Sequence, residues 1–202
     1  MKSKIITVLL TATLVGGVIG QLQSVRANLS GAIAQNQETQ AQSVWSLYTS
    51  PEADFSILMP GDPIITESST NIEAVAVNIN GFAVKRYDDT VQYLVTRIDI
   101  PEELNLEAVE PEQFLEIMQQ QIVEQVEGEV LATETINLKD NYPGREIKLQ
   151  ATQADQVYIV INRLYWVGRK LYQISVTVPQ NLESSLTGSS TGFLNSFQLL
   201  EE

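Results

Sequence analysis

The stretch 156–167, QVYIVINRLYWV, constrains the fold of this chain more than any other. In an extended segment successive side chains point to opposite faces. One face then carries Val157, Ile159, Ile161, Arg163, Tyr165 and Val167, and the other Tyr158, Val160, Asn162, Leu164 and Trp166. Both are largely apolar. A strand of that kind is stable only inside a sheet covered on both sides.

Period two recurs along most of the chain. Residues 73–79 put Val75, Val77 and Ile79 on one face. Asn80-Gly81 follows, a strong hairpin signal because a type I′ turn needs positive φ at both central positions. Residues 82–87 return, Asp88-Asp89 makes a second turn, and 91–99 forms a third strand of a meander. Residues 130–138 and 142–150 pair around Lys139-Asp140-Asn141, and 156–167 pairs with 171–178 through Gly168-Arg169. In the last of these, Tyr172, Ile174, Val176 and Val178 alternate with Gln173, Ser175 and Thr177, the pattern of a strand nearer a solvated face. Upstream, YTSPEADFSILMPGDP places a short buried strand, 55–59, between Ser50-Pro51-Glu52 and Pro60-Gly61-Asp62-Pro63. Proline lacks a backbone donor, so both ends are expected to be closed to further pairing. Asp62 on that rigid loop is the one site candidate of the stretch, and the stretch reads as punctuation of the fold.

One helix is well marked. Pro111 suits a first helical position, Glu112 and Glu116 favour the positive end of the dipole, and Gly128 suits a C-terminal cap. Phe114, Ile117, Met118, Ile122 and Val126 form its apolar stripe. A weaker helix within 182–197 turns Phe193, Leu194 and Phe197 inward, despite Gly188 and Gly192. Antiparallel strands with helices packed on the faces of the sheet make an α+β domain.

The N-terminus suggests export. Met1, Lys2, Ser3 and Lys4 form a basic head, 5–19 is apolar apart from threonines and glycines, and small residues follow at cleavage spacings. The expected signal peptide spans 1–34, with a cut after Ala27 or Ala34; retention as a membrane anchor is the alternative, though the apolar run falls short of the ~20 residues that cross a bilayer. Residues 35–43 read as a flexible tether and 44–202 as a single domain. The chain has no cysteine, so its stability must come from a packed core. Its net charge is −13; cutting after Ala34 removes Lys2, Lys4 and Arg26 but none of the 25 acidic residues, leaving −16. That field excludes nucleic acid, whose phosphates need basic partners.

The chain also has no histidine. Nucleophiles activated by imidazole and ordinary zinc sites are therefore excluded, and no phosphate-cradling glycine motif is present. Eleven carboxylates fall between Asp99 and Glu134 with no Lys or Arg among them. This zone reads as a solvated acidic face; weak divalent cation binding is the alternative, since calcium takes oxygen ligands, and a paired-carboxylate hydrolase a further one. Basic residues gather instead in the meander (Lys85 and Arg86, on opposite faces, and Arg97) and around the late hairpins. Arg163 interrupts an apolar face and is expected to pair, with Glu146 as the candidate. The sharper reading makes Arg145, Arg163 and Trp166 a recognition surface, with Trp166 otherwise in the core. No catalytic or metal-ligating residue and no cofactor is assigned.

Three stretches carry a family resemblance: YTSPEADFSILMPGDP, the aromatic hairpin RLYWVGRKLYQISVTVP and the terminal FLNSFQLL. Together they resemble the PsbP-like proteins, extrinsic lumenal subunits of oxygenic photosynthesis and their relatives, and more closely still a set of exported cyanobacterial proteins. The resemblance runs over roughly 45–200. It implies an antiparallel sheet sandwiched between helices, an α/β/α arrangement shared with the Ran-binding Mog proteins, and a non-catalytic accessory role beside a protein partner or membrane-protein complex in the periplasm or thylakoid lumen. The chain departs from the family pattern in having neither the cysteine that usually carries a lipid anchor nor any histidine for a metal site. A membrane-anchored assembly factor is the other role open to it.

Overall fold

The computed structural model describes residues 44–200 except 73, 105, 107, 108 and 140. The expected signal peptide, its two candidate cleavage points and the expected tether lie outside the described residues. The strands are β1 (Ser46–Ser50), β2 (Phe55–Met59), β3 (Ile64–Ile72), β4 (Val75–Arg86), β5 (Val91–Asp99), β6 (Glu129–Leu138), β7 (Tyr142–Gln153), β8 (Gln156–Val167), β9 (Lys170–Pro179) and β10 (Gln198–Leu199). Among the described residues two α-helices accompany them, α1 (Pro111–Val126) and α2 (Glu183–Asn195). Seven strands form one sheet in the order β3-β4-β5-β9-β8-β7-β6, and three form another in the order β1-β2-β10. Every pairing is antiparallel.

The large sheet separates two cores. On one face α1 lays Phe114, Leu115, Met118 and Ile122 over Ile147, Leu149, Val160 and Leu164. On the other, α2 and the small sheet bring Phe193, Leu194, Phe197, Phe55, Ile57 and Met59 onto Tyr93, Val95, Tyr172, Ile174 and Val176. Strand β8 feeds both cores, Val160 and Leu164 into the first and Ile159 and Tyr165 into the second, as its two apolar faces require. Phe197 is the hub of the second core. Its ring lies 5.7 Å from Phe55, 5.9 Å from Tyr165 and 5.4 Å from Tyr172, the centroid range in which aromatic pairs add to simple area burial.

Three local expectations are corrected. Asn80-Gly81 does not turn: both residues lie inside β4, and the first two strands of the expected meander are one. The glycine serves a close approach instead, since a Cβ there would come within 2.6 Å of Thr66 Oγ1 on β3. The hairpin turns earlier, where Ala74 takes φ 69°, and its first arm, β3, is a strand that apolar periodicity does not mark. Strand β9 does not border solvent. It is the middle of seven, and Gln173, Ser175 and Thr177 are as buried as the apolar residues between them. Gln173 Nε2 donates to Asn162 Oδ1 at 2.8 Å across the β8–β9 pair, so the buried amides satisfy each other. Strand β2 pairs along its length with β1, and also with β10, and its ladder stops at Phe55 and Met59, short of Pro51 and Pro60, as the prolines imply. Finally, α1 ends on Glu127 in the left-handed region at φ 48°, not on Gly128; Gly128 is needed for clearance, a Cβ there meeting Gln150 O at 3.2 Å.

Candidate functional site

The chain turns sharply between β1 and β2. Ser50 Oγ accepts from the Ala53 N–H at 3.3 Å, and Asp54 takes φ 56°. Pro51 pre-sets a turn, and an Asp tolerates the left-handed position better than most residues. This turn projects beside the end of the large sheet formed by β3 and β4. Between them lies a half-open cleft of about 320 Å³, walled by residues 48–53 on one side and by Ile65, Glu67, Asn80 and Phe82 on the other. Phe82 and Tyr48 form its aromatic floor, their rings 5.8 Å apart. The lining residues with polar side chains are Tyr48, Thr49, Ser50, Glu52, Glu67 and Asn80. Neither carboxylate has an ion-pair partner among the described residues.

A charged clamp holds the turn in place. Arg97, on β5 and only 9% exposed, donates through Nη1 to the Glu52 carbonyl at 2.8 Å and to Asp54 Oδ2 at 3.1 Å. Its Nε and Nη2 meet Asp99 Oδ1 at 2.9 and 2.8 Å. Lys170 Nζ reaches the same Asp54 oxygen at 2.6 Å, and the Tyr172 hydroxyl donates to the Ala53 carbonyl at 3.1 Å. Burial pushes the Tyr172 phenol up to about 12, with Arg97 opposing. The cleft wall is thus bolted to β5 and β9, the middle of the large sheet.

The residues expected to form a recognition surface are divided by the structure. Arg145 and Trp166 share the α1 face: Arg145 Nη1 donates to Gln119 Oε1 on α1 at 3.0 Å, and the half-buried Trp166 ring sits 4.3 Å from Phe114. Arg163 is on the opposite face, where it pairs with Glu146 at 2.5 Å and donates to Asn195 Oδ1 on α2 at 2.8 Å. The Glu146 pairing is the one read from the sequence. Arg163 also works structurally, tying β8 to β7 and to α2. Asp62 does not line the cleft. The residues that do line it, Tyr48 to Ala53, belong to the stretch read as punctuation; only the Ser50-Pro51-Glu52 turn signal pointed to them.

In the acidic zone, Glu102, Glu103, Glu112, Glu116, Glu124, Glu127, Glu129 and Glu134 are exposed and dispersed. Among the described residues no three His, Cys, Asp or Glu side chains converge on a possible metal position. Nor is any described helix long and apolar enough to cross a membrane.

No family model matches the chain, and no curated protein matches it by sequence. Solved structures do. Cyanobacterial PsbP (CyanoP) from Synechocystis sp. PCC 6803 superposes with a TM-score of 0.53 at 10% identity, covering 82% of this chain and 98% of that one. Protein PA94 of unknown function from Pseudomonas aeruginosa covers 78% and 97% at 11% identity, with a TM-score of 0.45. LpqN of Mycobacterium tuberculosis, involved in cell envelope biogenesis, covers 79% and 80% at 7% identity, with a TM-score of 0.42. The first of these carries the conclusion: this chain has the α+β fold of the PsbP-like proteins.

Proposed function

We propose that the protein is a non-catalytic accessory module of an exported compartment and that it binds a protein partner through the β1–β2 cleft. The observation that carries this reading is the cleft itself: half-open, floored by Tyr48 and Phe82, and edged by Glu52 and Glu67, which have no ion-pair partner among the described residues. A cleft that stays partly open to water suits a side chain presented from a partner's surface better than a small substrate sealed from water. The two carboxylates that the fold brings together nearby, Asp54 and Asp99, are both held by Arg97 and so do not stand ready as an acid–base pair. The leader-like segment 1–34 and the resemblance to PsbP-like accessory proteins support export and an accessory role.

The test is site-specific cross-linking. A photo-reactive residue at exposed Thr49 is expected to give a discrete protein adduct in envelope or thylakoid fractions of the source organism, while the same residue at exposed Glu124 on α1 gives none. Turnover of ester, glycoside or phosphate substrates by the purified protein, abolished by Glu52→Gln or Glu67→Gln, would overturn the reading.

A further inference from the structure

The large sheet has two edges, and they differ. At β6 the register shifts between Val130 and Ala132, and Glu129 and Glu134 stand on the strand. A bulge and charges are the usual guards against a second chain adding itself to an edge. At β3 there is no bulge and only one charge. Nine residues, IITESSTNI, pair with β4 in unbroken register from Ile64 to Ile72, with no proline, lysine or arginine among them and Glu67 as the single charge. Residues 64–69 are all exposed. Two of them are large and apolar, Ile64 at 69% and Ile65 at 53%, more exposed than Val130 at 40% and Leu131 at 45% on β6. The outward N–H and C=O groups of such a strand form a template for one more.

The cleft lies against this edge, and Ile65 and Glu67 belong to both. Alternate residues share a face, so Ile65 and Glu67 point together toward the cleft, opposite Phe82 and Asn80 of β4. A strand added along β3 would carry its own alternate side chains over the same floor. There they would meet the Tyr48 and Phe82 rings and the free carboxylates of Glu52 and Glu67.

Resting on the reading of the protein as a partner-binding module, we infer that β3 receives an extended segment of the partner as an added strand, with a lysine or arginine of that segment seated in the cleft between Glu52 and Glu67. Charge selects the occupant. A second copy of this chain would bring another IITESST segment and a net charge of −13 against the same edge. A basic strand supplies what the cleft lacks.

The probe is a seven-residue peptide, acetyl-Thr-Val-Lys-Val-Lys-Val-Thr-amide, titrated against the full chain and read by fluorescence anisotropy and amide hydrogen exchange. Binding with exchange protection over 64–70 is expected. Replacing both peptide lysines by glutamate, or reversing charge by Glu67→Lys, is expected to weaken it about tenfold or more, and added salt to weaken it further. Methylating alternate peptide amides is expected to abolish it. Adjacent residues of a strand direct their N–H groups to opposite sides, so of Ser68→Pro and Ser69→Pro one removes a donor to β4 and the other only an edge donor. Whichever of the two keeps the wild-type melting curve is expected to lose the peptide. Equal binding by that variant and by Glu67→Lys would overturn the inference, as would protection that falls elsewhere, or protection over 64–70 that arises from self-association without peptide. A native partner cross-linked at Thr49 whose capture is indifferent to these variants would remove the added strand and leave the partner-binding reading standing.

Discussion

Arg97→Met tests whether the cleft is held open by its clamp. The guanidinium side chain is 11% exposed, against 43% for Asp54 and 34% for Asp99. Methionine fills most of the same volume but leaves two carboxylates and the Glu52 carbonyl without their donor. Removing one partner of a fully buried pair costs about 3–5 kcal/mol. Here both acids reach solvent and regain part of their hydration, so about 2–3 kcal/mol is the reasoned figure. In a domain of this size that lowers the melting temperature by about 5–10 °C. Lys170→Met gives the contrast. It meets the same Asp54 oxygen, but both groups are more than a third exposed, and exposed pairs contribute about 0–1 kcal/mol.

Urea denaturation of the two variants, of Asp54→Asn and of Arg97→Met/Asp54→Asn measures these effects, the double variant being less destabilised than the sum of Arg97→Met and Asp54→Asn because the unpaired acid is gone. Hydrogen exchange locates them: amides of 50–54 are expected to exchange faster in Arg97→Met than global stability accounts for. A loss below about 1 kcal/mol, or unchanged exchange over 50–54, would refute the clamp and with it the preformed cleft wall.

Three further outcomes are expected. Gly188 and Gly192 lie exposed within α2, and a Cβ at either meets nothing within 4 Å; Gly188→Ala and Gly192→Ala should each stabilise the protein by about 0.5–1 kcal/mol in urea melts. Gly81→Ala should destabilise it by about 1–3 kcal/mol through the 2.6 Å clash with Thr66 Oγ1, and Thr66→Ala in the same chain should restore most of the loss. Burial pushes the phenols of Tyr93 and Tyr172 up to about 12 from 10.0, so the folded chain keeps protons that the unfolded chain releases. Their contribution is complete below pH 10 and fades as pH rises from 10 through 12. Alkaline unfolding should coincide with late tyrosinate absorbance, and Tyr93→Phe should raise its midpoint.

Much of this architecture is legible in the sequence because burial and periodicity coincide. QVYIVINRLYWV is apolar on both faces and becomes β8, inserted into both cores. The stripe Phe114, Met118, Ile122 becomes the inner face of α1. The failures occur where that coincidence breaks. Gln173, Ser175 and Thr177 look solvated but sit on the central strand, where position in the sheet outweighs side-chain polarity and Asn162 supplies a partner. Asn80-Gly81 carries a turn signature, yet Gly81 answers to the Thr66 side chain on a neighbouring strand, a contact 15 residues away in sequence. The clamp was hidden for the same reason: Asp54, Arg97, Asp99 and Lys170 come from three separate parts of the chain.

Strand β3 shows how an unreadable segment can be the informative one. A strand is recognised in sequence when one face must be buried, because the core imposes alternation. ITESSTNI has no such face over most of its length, since β3 lies at the sheet's edge beyond the reach of α1 and α2. Its pairing with β4 is sustained by the backbone ladder and by Thr66 fitting over Gly81. The other polar edge, β6, carries a bulge and two acids. An edge that is polar enough to stay soluble, regular enough to pair, and bordered by an acidic aromatic cleft has the properties of a receiving surface. Guarding β3 with a lysine at Glu67 and a proline at its outward-facing serine should leave folding intact and remove partner capture at Thr49; capture that persists would mean that the bare edge is incidental to what this protein binds.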